Sequence, residues 1–234
     1  MFNYLKIKQL YKILFYKNID FNGFLFSYFK PNQDFRFVQI GAHDGIKHDF
    51  LFEFLKYVNP NGISVEPVPE YFSALQINFH IFQDVKLLNL AIHNSDKSVI
   101  IYKVKKENEI NLPEWAPGCA SLDKEHLIKL NIPVDFIEKL TVPSITINEL
   151  LVSNNINYLD YFQVDIEGYD AKIILDLDFK LCYIKSIKFE HVCLSDFELK
   201  LVKRKLIKAG YTVLKDIGDT IAIKNDCLFK YLIK

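Results

Sequence analysis

From residue 35 onward, apolar positions switch between short unbroken runs and longer stretches of helical period. Residues 35–41 are mostly apolar and closed by glycine, and they read as a buried strand. Residues 49–58 read as a helix and 62–66 as a second strand. Residues 68–82 read as a helix whose first turn holds Pro69 and Glu70, both suited to that position. Residues 86–91 predict a third strand. A turn at Asp96-Lys97 leads into another strand at 98–104. Residues 105–140 contain Pro113, Pro117, Pro133 and the single tryptophan, Trp115, and lose clean periodicity until 122–130, which reads as helical.

Alternation then resumes. Residues 140–147 are extended and 146–152 start a short helix. Residues 158–164 are a strand ending in Asp165-Ile166-Glu167-Gly168, followed by a helix at 169–177. Residues 184–189 are a strand ending in Glu190-His191. A helix at 196–209 is closed by Gly210, and 211–214 with 220–223 form an antiparallel pair that ends the chain. Such alternation predicts an α/β fold with a mostly parallel sheet and helices on both faces. It also predicts one domain over 31–234, with 105–140 inserted as a lid or substrate loop. Residues 1–30 form a helical extension. There Tyr4, Ile7, Leu10, Tyr11 and Leu14 mark one or two amphipathic helices, and lysines 6, 8, 12 and 17 exclude a secretory signal. This extension suits a cap packed on the domain, a dimerisation arm giving a homo-oligomer, or a peripheral membrane contact.

The 234 residues are half apolar, and 29 basic and 29 acidic side chains cancel. That size and balance fit one soluble domain with a substantial core. Neutral charge argues against a nucleic-acid partner. Arg36 and Arg204 are the only arginines, which limits forked phosphate recognition. Four widely spaced cysteines, Cys119, Cys182, Cys193 and Cys227, without a CxxC pair, suit free thiols in a reducing, cytoplasmic setting. No apolar run is long enough to span a bilayer.

The first strand ends in Gly41-Ala42-His43-Asp44-Gly45 and the second in Val65-Glu66-Pro67. In a strand–helix–strand unit, a glycine turn admits a ligand to the backbone, and a carboxylate at the second strand's end accepts from ribose hydroxyls. The turn is Gly41-x-x-x-Gly45 and not GxGxxG, which disfavours a pyrophosphate cofactor such as a nicotinamide dinucleotide. S-adenosylmethionine has an adenosine but no phosphate, and it fits better. Asp165, Glu167, Glu190 and His191 end later strands. Ligands of open α/β sheets sit at the carboxyl ends of strands, so these residues converge with Gly41 and Glu66 on one crevice. They can serve as a general base, hold a divalent cation such as magnesium (through Asp165, Glu190 and His191), or bind cofactor and substrate. Capping of the following helices is the structural alternative for Asp165 and Glu167. His43 lies in the cofactor turn, whereas His48, His80, His93 and His126 read as structural histidines.

This order of motifs resembles the FkbM-type methyltransferases: Phe37 to Gly45, Val65-Glu66-Pro67, Asn89-Leu90-Ala91-Ile92, Gly118-Cys119-Ala120-Ser121-Leu122, Thr146 to Leu151, Asp165-Ile166-Glu167-Gly168 and Phe189-Glu190-His191. The resemblance spans roughly residues 35–223. It implies a Rossmann-like class I fold with a seven-stranded sheet, and S-adenosylmethionine as cofactor. By that resemblance Gln39, Gly41, Ala42, His43, Asp44 and Gly45 surround the methionine tail, and Glu66 and Pro67 hold the ribose. Asn89 and Ala91 lie near the adenine, and Asp165 and Glu167 face the methyl-transfer site. The family commonly carries an acid at the position of Gln39, an asparagine at that of His43 and a glutamate at that of Asp170. The reading favoured here is O-methylation of a sugar or other small polar hydroxyl in glycan or secondary-metabolite biosynthesis. Trp115 and Ser121 on the lid would contact the small-molecule or glycan acceptor. The alternatives are N-methylation of a peptide or amine, and a non-catalytic cofactor-binding partner subunit.

Overall fold

In the computed structural model, residues 13, 18–47, 49–94 and 97–233 are described. A seven-stranded sheet runs in the order β3-β2-β1-β7-β8-β10-β9. Its strands are β1 (Asp34–Ile40), β2 (Asn59–Val65), β3 (Val85–Leu88), β7 (Tyr158–Val164), β8 (Tyr183–Glu190), β9 (Tyr211–Lys215) and β10 (Asp219–Lys224). All neighbours pair in parallel except β10, which is antiparallel to both β8 and β9. The chain winds from β1 outward through β2 and β3, then returns to β7 on the other side of β1. The carboxyl ends of β1 and β7 therefore flank the point where the winding reverses, which is where open α/β sheets leave a crevice.

Two apolar cores follow from the two-residue period of the central strands. On one face, Val38, Ile40, Phe162 and Val164 pack with buried residues of α5 (Ile147–Ser153), α6 (Asp170–Asp176) and α7 (Asp196–Lys208). On the other, Phe35, Phe37 and Tyr161 pack with α1 (Phe21–Tyr28), α2 (Leu51–Leu55), α3 (Pro69–Phe79) and α8 (Asn225–Ile233). The α1 helix belongs to this core: Phe21 meets Tyr161 at 5.6 Å between ring centres and Phe24 meets Tyr231 at 4.8 Å. The helices expected over residues 1–17 lie outside the described residues, apart from the buried Ile13. Among the described residues no helix is long and apolar enough to cross a membrane.

Three expected elements differ. The third strand divides. β3 ends at Leu88, and Ala91–Ile92 (β4) joins a separate small sheet, β4-β6-β5, with β5 (Ser98–Val104) and β6 (Ile137–Ile145). Between them, the Asn89 amide donates to the carbonyls of Glu66 and Pro67, which ties the departing chain to the end of β2. The helix expected at 49–58 is only Leu51–Leu55, because β2 already begins at Asn59. The chain ends in α8 and not in the β9–β10 pair. Residues 105–136 carry 3-10 turns and α4 (Lys124–Lys129). They enclose a small core of their own in which Ala116, Cys119, Leu127 and Ile132 are buried.

Candidate active site

β1 ends in a turn that only glycine can open. Gly41 has φ +80°, and a Cβ there would lie 1.8 Å from the Asp165 carbonyl oxygen. The ends of β1 and β7 thus touch, which brings Asp165 beside the turn. The Gly41 and Ala42 N–H groups both donate to the Val65 carbonyl at 3.0 Å, locking the turn to β2. His43 follows in the left-handed region at φ +50°, and its N–H donates to Glu66 Oε2 at 2.8 Å. The Val68 N–H donates to the other oxygen at 2.8 Å. Each Glu66 oxygen therefore keeps lone-pair capacity for a further donor. Burial pushes the Glu66 carboxyl up to about 7, against the pull of these two N–H groups.

The turn borders a cleft of about 470 Å³, within the size range of small-molecule sites. Gly41, Ala42, His43, Glu66 and Pro67 line one side, and Asp165, Glu167 and Glu190 the other. Trp115 and Gly118 reach it from the 105–140 segment. Tyr71 of α3 fastens that segment down: its hydroxyl donates to the Pro117 carbonyl, and its ring packs on His43 at 4.1 Å. Beside Gly41 and Pro67 opens a narrow apolar slot lined by Val65, Ala91, Ile101 and Leu122.

Negative charge gathers at the strand ends. Asp165 is open to the cleft yet closely surrounded on its other sides. That surrounding protein, then the charges of Asp170, Glu190 and Glu167, hold its carboxyl well above the ordinary range, with Lys188 opposing. Burial and then the charge of Glu190 push Asp170 up to about 7. Glu190 is raised by burial first and Glu167 second, and its Oε2 has no hydrogen-bond partner. Glu167 sits at φ +50°, an uncommon backbone for a glutamate and one found at functional sites. Burial pulls the Lys188 ammonium down. The charges of Asp219 (3.1 Å), Asp49 and Asp165 outweigh it, and Lys188 ends above its ordinary range.

The family model for the methyltransferase FkbM domain matches residues 39–223, most of the chain. The chain belongs to the FkbM methyltransferase family. It is accordingly an S-adenosylmethionine-dependent methyltransferase. Among solved structures, an FkbM methyltransferase from Methylobacillus flagellatus KT is similar at 12% identity and TM-score 0.45, covering 81% of this chain and 43% of that one. Precorrin-6y C5,15-methyltransferase from Geobacter metallireducens GS-15 is similar at 13% identity and TM-score 0.44, with 87% of each chain covered. The fibrillarin pre-rRNA processing protein of Methanococcus jannaschii is similar at 11% identity and TM-score 0.42, covering 84% of this chain and 69% of that one. No curated protein gives a significant match.

The cleft of this FkbM methyltransferase fits its cofactor on three counts. Gly41, Ala42 and His43 of the turn line the cleft, Glu66 offers free lone pairs beside them, and the apolar slot next to Pro67 suits a flat base. Not every residue expected to form the site lines it. Gln39 points to the Phe37 face and is buried, donating to Asp49 Oδ2 at 2.7 Å and accepting from Ser64. Asp44 holds the turn by accepting from the N–H groups of Ile46 and Lys47. Gly45 makes room for Phe79, which a Cβ would meet at 2.4 Å. Asn89 braces the backbone behind Glu66, and Ala91 reaches only the slot. Ser121 lies outside the cleft and donates to the Glu167 carbonyl at 2.9 Å. His191 does not line the cleft, because successive side chains at the end of β8 face opposite ways and Glu190 takes the inward one. His191 therefore does not join Asp165 and Glu190 as a metal ligand; its Nδ1 is buried without a partner. His48 lies outside the described residues.

Several cleft residues were not singled out from sequence: Asp49, Lys188, Asp219, Cys193 and Tyr71. His126, read as structural, donates from Nε2 to Glu167 Oε2 at 3.2 Å. Asp49 is the most consequential. Its Oδ2 accepts from Gln39 and Gln163 at 2.7 Å each, and its Oδ1 from the Leu51 N–H at 2.9 Å. Asp49→Ala strands two buried amides, and each unsatisfied group costs about 1–3 kcal/mol. Thermal unfolding is expected to show a clear drop in midpoint; an unchanged midpoint would mean that the amides find other partners.

Proposed function

We propose that the chain methylates a hydroxyl of a sugar or other small polar acceptor in this cleft. S-adenosylmethionine would bring an electrophilic methyl group carried on a positively charged sulfonium. The Gly41–Gly45 turn and Glu66 would hold its nucleoside and tail, with the base in the slot beside Pro67 and Ala91. Asp165, at the meeting point of β1 and β7, would accept the hydroxyl proton. The observation that carries the reading is the placement of Asp165, which lines the cleft where the end of β7 meets the Gly41 turn of β1; its raised carboxyl range agrees with that role. A base works best when its pKa lies nearer the operating pH than an ordinary aspartate's does, and a hydroxyl acceptor needs such a base more than a neutral amine does. Trp115 would offer an aromatic face to the acceptor's apolar side, and the small, polar-rimmed cleft supports a small acceptor. Most of the rate would come from holding the acceptor oxygen in line.

Asp165→Asn is expected to lower turnover by about 10²–10⁴-fold, the range of a lost general base, and to leave cofactor affinity within a few-fold. The assay is single-turnover methyl transfer to a panel of sugar hydroxyls, amines and peptides, with cofactor binding measured by calorimetry. Equal losses in turnover and affinity would remove the base role. Transfer to amines alone would replace the hydroxyl reading with N-methylation.

A further inference from the structure

We propose that His126, Glu167 and Cys193 form a binding site for a single zinc-like divalent metal ion in the wall of the cleft. Their ligand atoms lie within 4.8 Å of one another, the one such group of histidine, cysteine and acid side chains among the described residues. The distances are 3.2 Å from His126 Nε2 to Glu167 Oε2, 3.9 Å from Cys193 Sγ to His126 Nε2 and 4.0 Å from Cys193 Sγ to Glu167 Oε2. Bond lengths of about 2.0–2.2 Å to nitrogen and oxygen and about 2.3 Å to sulfur give tetrahedral edges of about 3.4 Å for N···O and about 3.6 Å for the two edges to sulfur. The observed triangle has the same shape, with its sulfur corner a few tenths of an ångström wide.

The three donors come from separate elements. His126 is on α4, held at its start by the Asp123 carboxylate accepting from the Glu125 N–H. Glu167 is in the β7–α6 turn, and Cys193 is in the β8–α7 loop. Nothing local requires them to meet. Glu167 reaches the others from a left-handed backbone that costs free energy for a non-glycine residue. One nitrogen, one oxygen and one sulfur donor suit zinc far better than magnesium, which takes oxygen ligands. On binding, the Cys193 thiol and His126 Nε2 give their protons to solvent, and the imidazole keeps its other proton on Nδ1.

Three protein ligands and an open fourth position are the arrangement of catalytic zinc sites. Glu167 and Cys193 both line the cleft, so the fourth position faces it. An acceptor hydroxyl bound there would ionise more readily. This last role rests on the methyl-transfer reading above; the binding site does not.

The test is cobalt titration of the chelator-treated full chain, followed by absorption spectroscopy. The expected result is one equivalent of cobalt with a thiolate-to-metal charge-transfer band and the intense visible bands of tetrahedral cobalt, displaced by zinc. Cys193→Ser should remove the charge-transfer band, whereas Cys119→Ser should keep it. Glu167→Gln and His126→Gln should each weaken zinc binding by at least about 100-fold, more than the loss of a supporting residue around a metal site. Thermal unfolding of each variant without metal identifies any that fail to fold. Absence of the charge-transfer band in the wild type, or its loss in Cys119→Ser and not Cys193→Ser, would overturn the site. The spectrum needs no cofactor, so its failure is distinct from a failure to bind S-adenosylmethionine.

Discussion

Gly41→Ala is expected to lower the unfolding midpoint sharply and to abolish measurable cofactor binding. The added Cβ would lie 1.8 Å from the Asp165 carbonyl oxygen and 2.8 Å from its carbon, and both are backbone atoms that cannot rotate aside. The residue would also be held at φ +80°, which costs about 1–3 kcal/mol for a side-chain-bearing residue. Overpacking in a fixed setting adds about 1–3 kcal/mol. For a chain of this size each kcal/mol moves the midpoint by roughly 2–4 °C. Relief can come only by parting β1 from β7, and that displaces the turn from Glu66 and from Asp165 together. Scanning calorimetry and cofactor titration of the same preparation would check this. A midpoint within about 2 °C of wild type would show that the two strand ends are not in the contact described.

Glu66 sets the pH dependence of cofactor binding. Its carboxyl titrates near 7 in the folded chain against 4.5 ordinarily. Between those values the folded chain keeps a proton that the unfolded chain has released, so folding takes up a proton. The stability contributed by this group is therefore full below pH 4.5 and is lost as pH rises through 7. Binding runs the other way, because ribose hydroxyls donate best to an ionised carboxylate. Affinity should rise as pH climbs towards 7, by at most about tenfold per unit, and flatten above it. Binding below 7 should release a proton. Glu66→Gln cannot ionise, and its amide turns an N–H group towards the His43 or Val68 N–H. Affinity at pH 8 should fall by about 10- to 100-fold, the loss of a hydrogen bond to a charged group, and the component of the pH dependence due to Glu66 should vanish. Unchanged affinity in this variant would take Glu66 out of the binding site.

The fold was legible where period and turn chemistry agree. The β7 strand and its Asp165-Ile166-Glu167-Gly168 turn, the β1 run ending in Gly41, and α7 closed by Gly210 all announce themselves locally. The departure of β4 from the large sheet did not, because it depends on the Asn89 amide reaching the end of β2. The terminal α8 left a trace in the helical spacing of Cys227, Leu228 and Tyr231, all buried, but it was masked by the strand pair before it. In the site, residues at strand ends were found and residues that arrive sideways were missed. Asp49 enters from the start of α2 and is held by Gln39 and Gln163 of two different strands. His126 comes from the inserted segment and Cys193 from a loop, so their meeting with Glu167 is purely tertiary. The alternation along a strand could have placed His191 opposite Glu190, since the two are adjacent at the end of β8.

The central claim is that the Gly41 turn and Glu66 hold S-adenosylmethionine at the junction of β1 and β7. Calorimetric titration of the purified chain with S-adenosylmethionine and, separately, with NAD tests it most directly. The account predicts micromolar binding of S-adenosylmethionine at a single site, loss of that binding in Glu66→Ala, and no binding of NAD. Tight binding of NAD, or S-adenosylmethionine binding that survives Glu66→Ala unchanged, would contradict it.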